Sequence, residues 1–113
     1  MKLIVTKNHK SNYLNPIMFK KGELLVIGKK DNEYKGWIWV TTESGNQGWA
    51  PIQYLQIKEE SNTAEAKQYY NAKELDTILG EELTLHYELN DWGWVEKRDG
   101  SVGWIPMNTT KTV

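Results

Sequence analysis

A stretch that occurs twice constrains this chain more than anything else in it. Trp37-Ile38-Trp39-Val40, a polar turn ending in Gly45, and Gly48-Trp49-Ala50-Pro51 form the first copy. Trp92-Gly93-Trp94-Val95, a turn ending in Gly100, and Gly103-Trp104-Ile105-Pro106 form the second. Positions 37, 45, 48 and 51 recur at 92, 100, 103 and 106, an offset of 55 throughout, and all six tryptophans fall inside the copies. A fixed offset carrying the same Trp, Gly and Pro marks a duplicated structural unit. In 113 residues this leaves two units, each of about 50–55 residues and close to the smallest size that buries a core unaided. Heavy use of aromatic residues suits such cores, because each ring buries a large area.

The pattern around the copies is that of strands. Lys2–Thr6 and Glu23–Gly28 are short and rich in branched apolar residues, and Trp37–Thr42 alternates with two occupied faces. Glu43–Asn46 reads as a hairpin turn with Gly45 supplying positive φ, and Gln47–Ala50 as the returning strand. Pro51–Leu55 can close as one helical turn before a last strand at Gln56-Ile57. The second unit repeats the order with Leu83–Leu89, the tight loop Asn90-Asp91, Trp92–Lys97, the turn at Gly100, Val102–Ile105 and a closing Pro106–Thr109. No window holds a helical period, so the chain reads as all-β, with short strands and glycine turns pointing to small barrels or sandwiches. The polar stretch Lys58–Glu65 carries no core residue except Ala64 and reads as a linker, with Ala64–Lys67 open as the start of the next strand. The expected division is 1–57 as one unit, 58–65 as linker and 66–113 as the other.

Composition narrows the function. A net charge near −1 gives no basic face for nucleic acid. No apolar run approaches the roughly 20 residues of a membrane helix, and Leu3-Ile4-Val5 is too short for a signal-peptide core. The absence of Cys removes disulfides and cysteine-based zinc sites and fits a reducing compartment, so a cytoplasmic protein is expected. There is no nucleophile elbow, phosphate-cradling glycine loop or metal-ligand spacing, and adjacent acids such as Glu81-Glu82 point apart in a strand. Neither catalysis nor a cofactor is expected. His9 and His86 have no matching positions in the two copies, and His86 reads as a solvent-facing strand residue.

The order Gly-Glu, apolar strand, charged loop, W-x-W-V, G-x-x-G-W-x-P closely resembles the Src-homology-3 (SH3) domain. Here it reads GELLVI, GWIWV and GNQGWAPIQYL in the first copy, then GEELTL and DWGWVEKRDGSVGWIPMN in the second. Ala66–Ala72 (AKQYYNA) is similar to the family's ALYDY opening, of which Lys7-Asn8-His9 keeps a trace. The resemblance looks closest to a variant tandem form found in bacterial proteins. It implies two tandem five-stranded SH3-like barrels, each with an aromatic groove for an extended, polyproline-type peptide.

Carried over position by position, the resemblance makes Trp37 and Trp92 the groove tryptophans. Trp49 and Trp104 match the aromatic beside each, and Pro51 and Pro106 the groove prolines. Tyr54 matches the closing tyrosine and Asn108 the closing asparagine, while Thr109 replaces the tyrosine and Gln53 the asparagine in their respective copies. Tyr70 matches the second ALYDY tyrosine, with His9 at the corresponding place in the first copy. Glu74 and Asp76 fall in the front loop, where the family holds acids for a ligand cation. The implied function is a non-catalytic tandem module that binds a protein or peptide segment through Trp/Pro grooves, with Trp37 and Trp92 as exposed platforms. Two other readings stand beside it. The grooves could pack between units or chains, which leaves a homo-oligomer open, or they could bind a cell-wall glycan.

Overall fold

In the computed structural model the described residues are 1–11 and 15–113; Tyr13 and Leu14, expected in a front loop, lie outside them. Among the described residues twelve strands appear in order: β1 (Lys2–Val5), β2 (Met18–Phe19), β3 (Leu24–Lys30), β4 (Trp37–Thr41), β5 (Gln47–Pro51), β6 (Leu55–Lys58), β7 (Thr63–Ala66), β8 (Tyr70–Asn71), β9 (Glu82–Leu89), β10 (Trp92–Glu96), β11 (Val102–Pro106) and β12 (Thr110–Thr112). Single 3-10 turns at Ile52–Tyr54, Glu59–Ser61 and Met107–Thr109 complete the described elements, and no α-helix occurs among them. The chain is all-β, as the strand pattern predicts.

Backbone chemistry explains where the chain reverses. Gly45 and Gly100 sit at φ 90° in the β4–β5 and β10–β11 hairpins, a conformation that costs glycine nothing. Asn90 and Asp91 both have positive φ, 50° and 71°, which closes the two-residue β9–β10 turn with the twist its strands need. After Pro51 and Pro106 the chain tightens into its 3-10 turns, each proline extended at φ −71° and −68°.

The chain divides into two compact units. A continuous unit, Asn15–Ala72, holds an antiparallel sheet in the order β5-β4-β3-β7-β6 and a two-stranded β2-β8 ribbon. A split unit, Met1–Leu14 with Lys73–Val113, holds a sheet in the order β11-β10-β9-β1-β12. The offset of 55 survives in three dimensions: β4 matches β10, β5 matches β11, and the 3-10 turns match.

This division differs from 1–57, 58–65 and 66–113. Strand β1 pairs with β9 and β12, through Leu3↔Leu83 and Leu3↔Thr112, and so joins the second copy's sheet. Strand β7 pairs with β3 and β6, through Ala64↔Leu25 and Ala64↔Ile57, and completes the first copy's sheet. The expected linker is therefore ordered. Lys58 ends β6, Glu59–Ser61 turns, Asn62 takes φ 54°, and β7 returns with Thr63 opposite Lys58. Closing so short a loop costs little entropy, whereas bringing β1 back to β6 would close a loop of most of a unit. The two copies have exchanged their front strands.

Each unit has its own core. In the split unit Leu3 and Val5 pack with Leu75, Leu83, Val95 and Ile105, and Leu85 and Met107 lie against them. In the continuous unit Ile17, Phe19, Leu25, Ile38, Val40 and Leu55 are buried beside Ala64 and Ala66. Val40 and Val95, expected in the core from strand alternation, are fully buried. At roughly 1.5–3 kcal/mol for each large apolar side chain removed from water, these clusters dominate the stability of such small sheets.

Candidate functional site

The outer face of β10 and β11 builds the more open of two equivalent sites. Trp92 lies opposite Pro106 and Trp94 opposite Trp104, so side chains two apart on each strand share one face. Trp92 and Pro106 are both half-buried, and Asn108 in the following 3-10 turn is exposed. Thr109, where the closing tyrosine would stand, is buried and donates its hydroxyl to the Pro106 carbonyl at 2.6 Å. Trp104 is only 2% exposed. Its ring meets Trp94 edge-on at 5.3 Å and Tyr87 at 5.6 Å, and its main chain holds the front loop by Trp104 N–H to Lys73 O and Leu75 N–H to Trp104 O.

The front loop supplies a pair that sequence reasoning did not connect. His9 Nε2 lies 3.0 Å from Glu74 Oε1, with side chains 15% and 12% exposed. The His9 ring meets Trp92 edge-on at 5.8 Å, and its main chain exchanges both hydrogen bonds with Thr77. Burial pushes the Glu74 carboxyl above its ordinary pKa, and the bond and charge of His9 oppose that shift without cancelling it. Glu74, expected to await a ligand cation, is thus engaged by a residue of its own unit. Asp76 remains exposed, one carboxylate oxygen accepting the Ser11 amide at 2.7 Å.

The continuous unit repeats the register with Trp37 opposite Pro51 and Trp39 opposite Trp49, the latter rings edge-on at 5.1 Å. Tyr54 meets Tyr70 edge-on at 5.8 Å, and Phe19 lies 5.4 Å from Tyr70. The strand exchange reunites here the closing tyrosine of one copy with the front tyrosine of the other. This fuller aromatic set is also the more closed one. Trp37 is 7% exposed and Tyr70 4%, and Pro51 is buried, so Trp37 does not offer the exposed platform expected of it. A ring with so little free surface serves packing better than capture.

Sequence reasoning also missed Tyr87, whose ring stacks on Trp94 at 6.5 Å and 20°. The two-residue Asn90-Asp91 turn brings it there by setting the register Trp92↔Leu89, Gly93↔Glu88 and Trp94↔Tyr87, ahead of the bulge between Trp94 and Val95. Counting back from that turn is the signal that could have found it. His86 is exposed and bonded to Glu96 at 3.0 Å. Among the described residues no three His, Asp or Glu side chains gather as a metal site would require.

Short antiparallel sheets carrying a Trp/Pro face define the class of small all-β interaction modules. Residues 2–58, just over half of the chain, match the family described as the variant SH3 domain. The chain belongs to that family, whose members are in general protein-interaction modules. It is also similar to the myosin IB heavy chain of Dictyostelium discoideum, 45% identical over 40 residues that make up 35% of this chain and 3% of that protein. The chain therefore covers a small fraction of that relative. No solved structure matches it. The span 2–58 includes β1 of the split unit and stops before β7 of the continuous one.

Proposed function

We propose that this protein is a non-catalytic binding module of two SH3-like barrels in tandem, and that it takes an extended protein segment on the Trp92–Pro106 face of the split unit. The observation that carries this reading is the register Trp92↔Pro106 with both side chains half open and Asn108 exposed beside them. An extended or polyproline-type segment is preformed, loses little entropy on docking, and presents carbonyls between apolar ridges. A flat half-open indole, a proline ridge and an exposed amide side chain complement such a surface. In the continuous unit the equivalent Trp37, Pro51 and Tyr70 act as framework, consistent with their burial.

Titration of the isotope-labelled protein with proline-rich peptides tests the reading. The Trp92 indole N–H signal is expected to move, with Asn108 following, while Trp37 stays in place. No movement of Trp92 with any extended peptide, or movement confined to Trp37, would overturn it. A parallel titration with soluble peptidoglycan fragments separates protein recognition from glycan recognition.

A further inference from the structure

We propose that the front strands are assigned crosswise by side-chain volume, and that Leu3 and Val5 are the positioning residues that deliver His9 to the Trp92 face. The ladder pairings alone do not discriminate, and the short β6–β7 turn favours the observed choice without deciding how either core is filled. Strands β1 and β7 make the same two antiparallel pairings, Leu3 standing in the split unit where Ala64 stands in the continuous one. The side chains do discriminate. Leu3 and Val5 are 1% exposed, Ala64 and Ala66 0% and 2%, so an isobutyl and an isopropyl group fill one core where two methyls fill the other.

The surroundings are complementary in the opposite sense. Phe19, paired with Tyr70, is buried in the continuous unit, whereas its counterpart Thr77, paired with His9, is buried in the split unit. Ile38 faces the continuous core where the split unit has Gly93, whose missing side-chain space is taken by Met107 and Leu85. Large front residues thus meet a core with Thr77 and Gly93, and small ones meet a core with Phe19 and Ile38; the buried counterparts Ala50 and Ile105 run the other way and offset only part of these two differences. In the sequential arrangement Leu3 and Val5 would overpack the first core, and Ala64 and Ala66 would leave voids in the second. Close-packed interiors tolerate neither error. Because His9 follows β1 and Tyr70 follows β7, the same choice decides which groove receives the imidazole and which the phenol. That last consequence rests on the Trp92 face being the ligand site; the strand assignment does not.

The absence of cysteine makes the assignment readable by cross-linking. Ile4 lies opposite Lys111, while Glu65, its counterpart in β7, lies opposite Gln56. In the whole chain, Ile4→Cys with Lys111→Cys is expected to form an intramolecular disulfide on mild oxidation, and Ile4→Cys with Gln56→Cys to remain reduced. In a chain that also carries Leu3→Ala, Val5→Ala, Ala64→Leu and Ala66→Val, the preference should reverse. The front-strand double changes made separately should each lower Tm, and the fourfold variant should recover at least half of the loss.

Oxidation of the 4–56 pair in the parent chain would overturn the crosswise assignment, as would a disulfide-linked dimer. A fourfold variant that keeps the 4–111 bridge, or that is no more stable than the worse of its parents, would overturn volume as its cause. Unresponsive Trp92 in the peptide titration, with the cross-links as expected, would leave the assignment standing and remove only its link to binding.

Discussion

His9 and Glu74 stand 65 residues apart in the chain and 3.0 Å apart in space, joined by a hydrogen bond that pins the front loop beside Trp92. The bond exists because β1 crosses to the second copy's sheet and carries His9 with it. In the sequence His9 is a departure from a tyrosine position. In the structure it is the partner that keeps a largely buried carboxylate tolerable.

The pair gives the split unit a distinct response to acid. Glu74 has a folded-state pKa above its ordinary value, so folding favours its protonated form. Its contribution is therefore fully present at acid pH and is lost as pH rises from the ordinary carboxylate range through the raised value. Chemical denaturation of the parent and Glu74→Gln proteins across that window should show the parent gaining on the variant as pH falls. A constant difference, or one of opposite slope, would remove Glu74 as the cause.

Thr77 is buried at 2% exposure with its hydroxyl unpartnered, although its main chain is bonded to His9. Replacing that hydroxyl by a methyl removes a desolvated polar atom and keeps the shape. Thr77→Val is expected to stabilise the protein by about 1 kcal/mol. Urea unfolding monitored by tryptophan fluorescence measures it, and a loss of stability would show that the hydroxyl has a partner.

Gly103 and Gly48 occupy equivalent places, yet alanine should be costlier at Gly103. A Cβ there would lie 2.8 Å from Leu75 Cγ and 3.0 Å from the Lys73 carbonyl, which itself accepts the Trp104 N–H. At Gly48 its nearest neighbours would be Ile17 side-chain carbons, the first at 3.1 Å. Gly103→Ala is expected to cost about 1–3 kcal/mol, the range for overpacking, and Gly48→Ala less. Equal thermal shifts would contradict this ordering.

Trp37 and Trp92 should separate stability from binding. Trp37→Ala empties a buried position and is expected to cost about 3–5 kcal/mol. Trp92→Ala, at a half-buried ring, should cost less stability and abolish the peptide-induced shift at Asn108. A Trp37 variant that unfolds at the parent's urea midpoint would argue against its framework role.

Local chemistry wrote much of this fold into the sequence. The WIWV and WGWV alternation, the glycines at 45 and 100 and the prolines before the two matching 3-10 turns place strands, hairpins and the Trp/Pro face, because each depends on near neighbours. The offset of 55 likewise announces two copies of one sheet pattern. Which front strand completes which sheet was decided only in three dimensions, since β1 and β7 offer the same backbone ladder and differ in the volume they bring to a core. The His9–Glu74 bond, the reunion of Tyr54 with Tyr70 and the closing over of Trp37 follow from tertiary packing that no local pattern records.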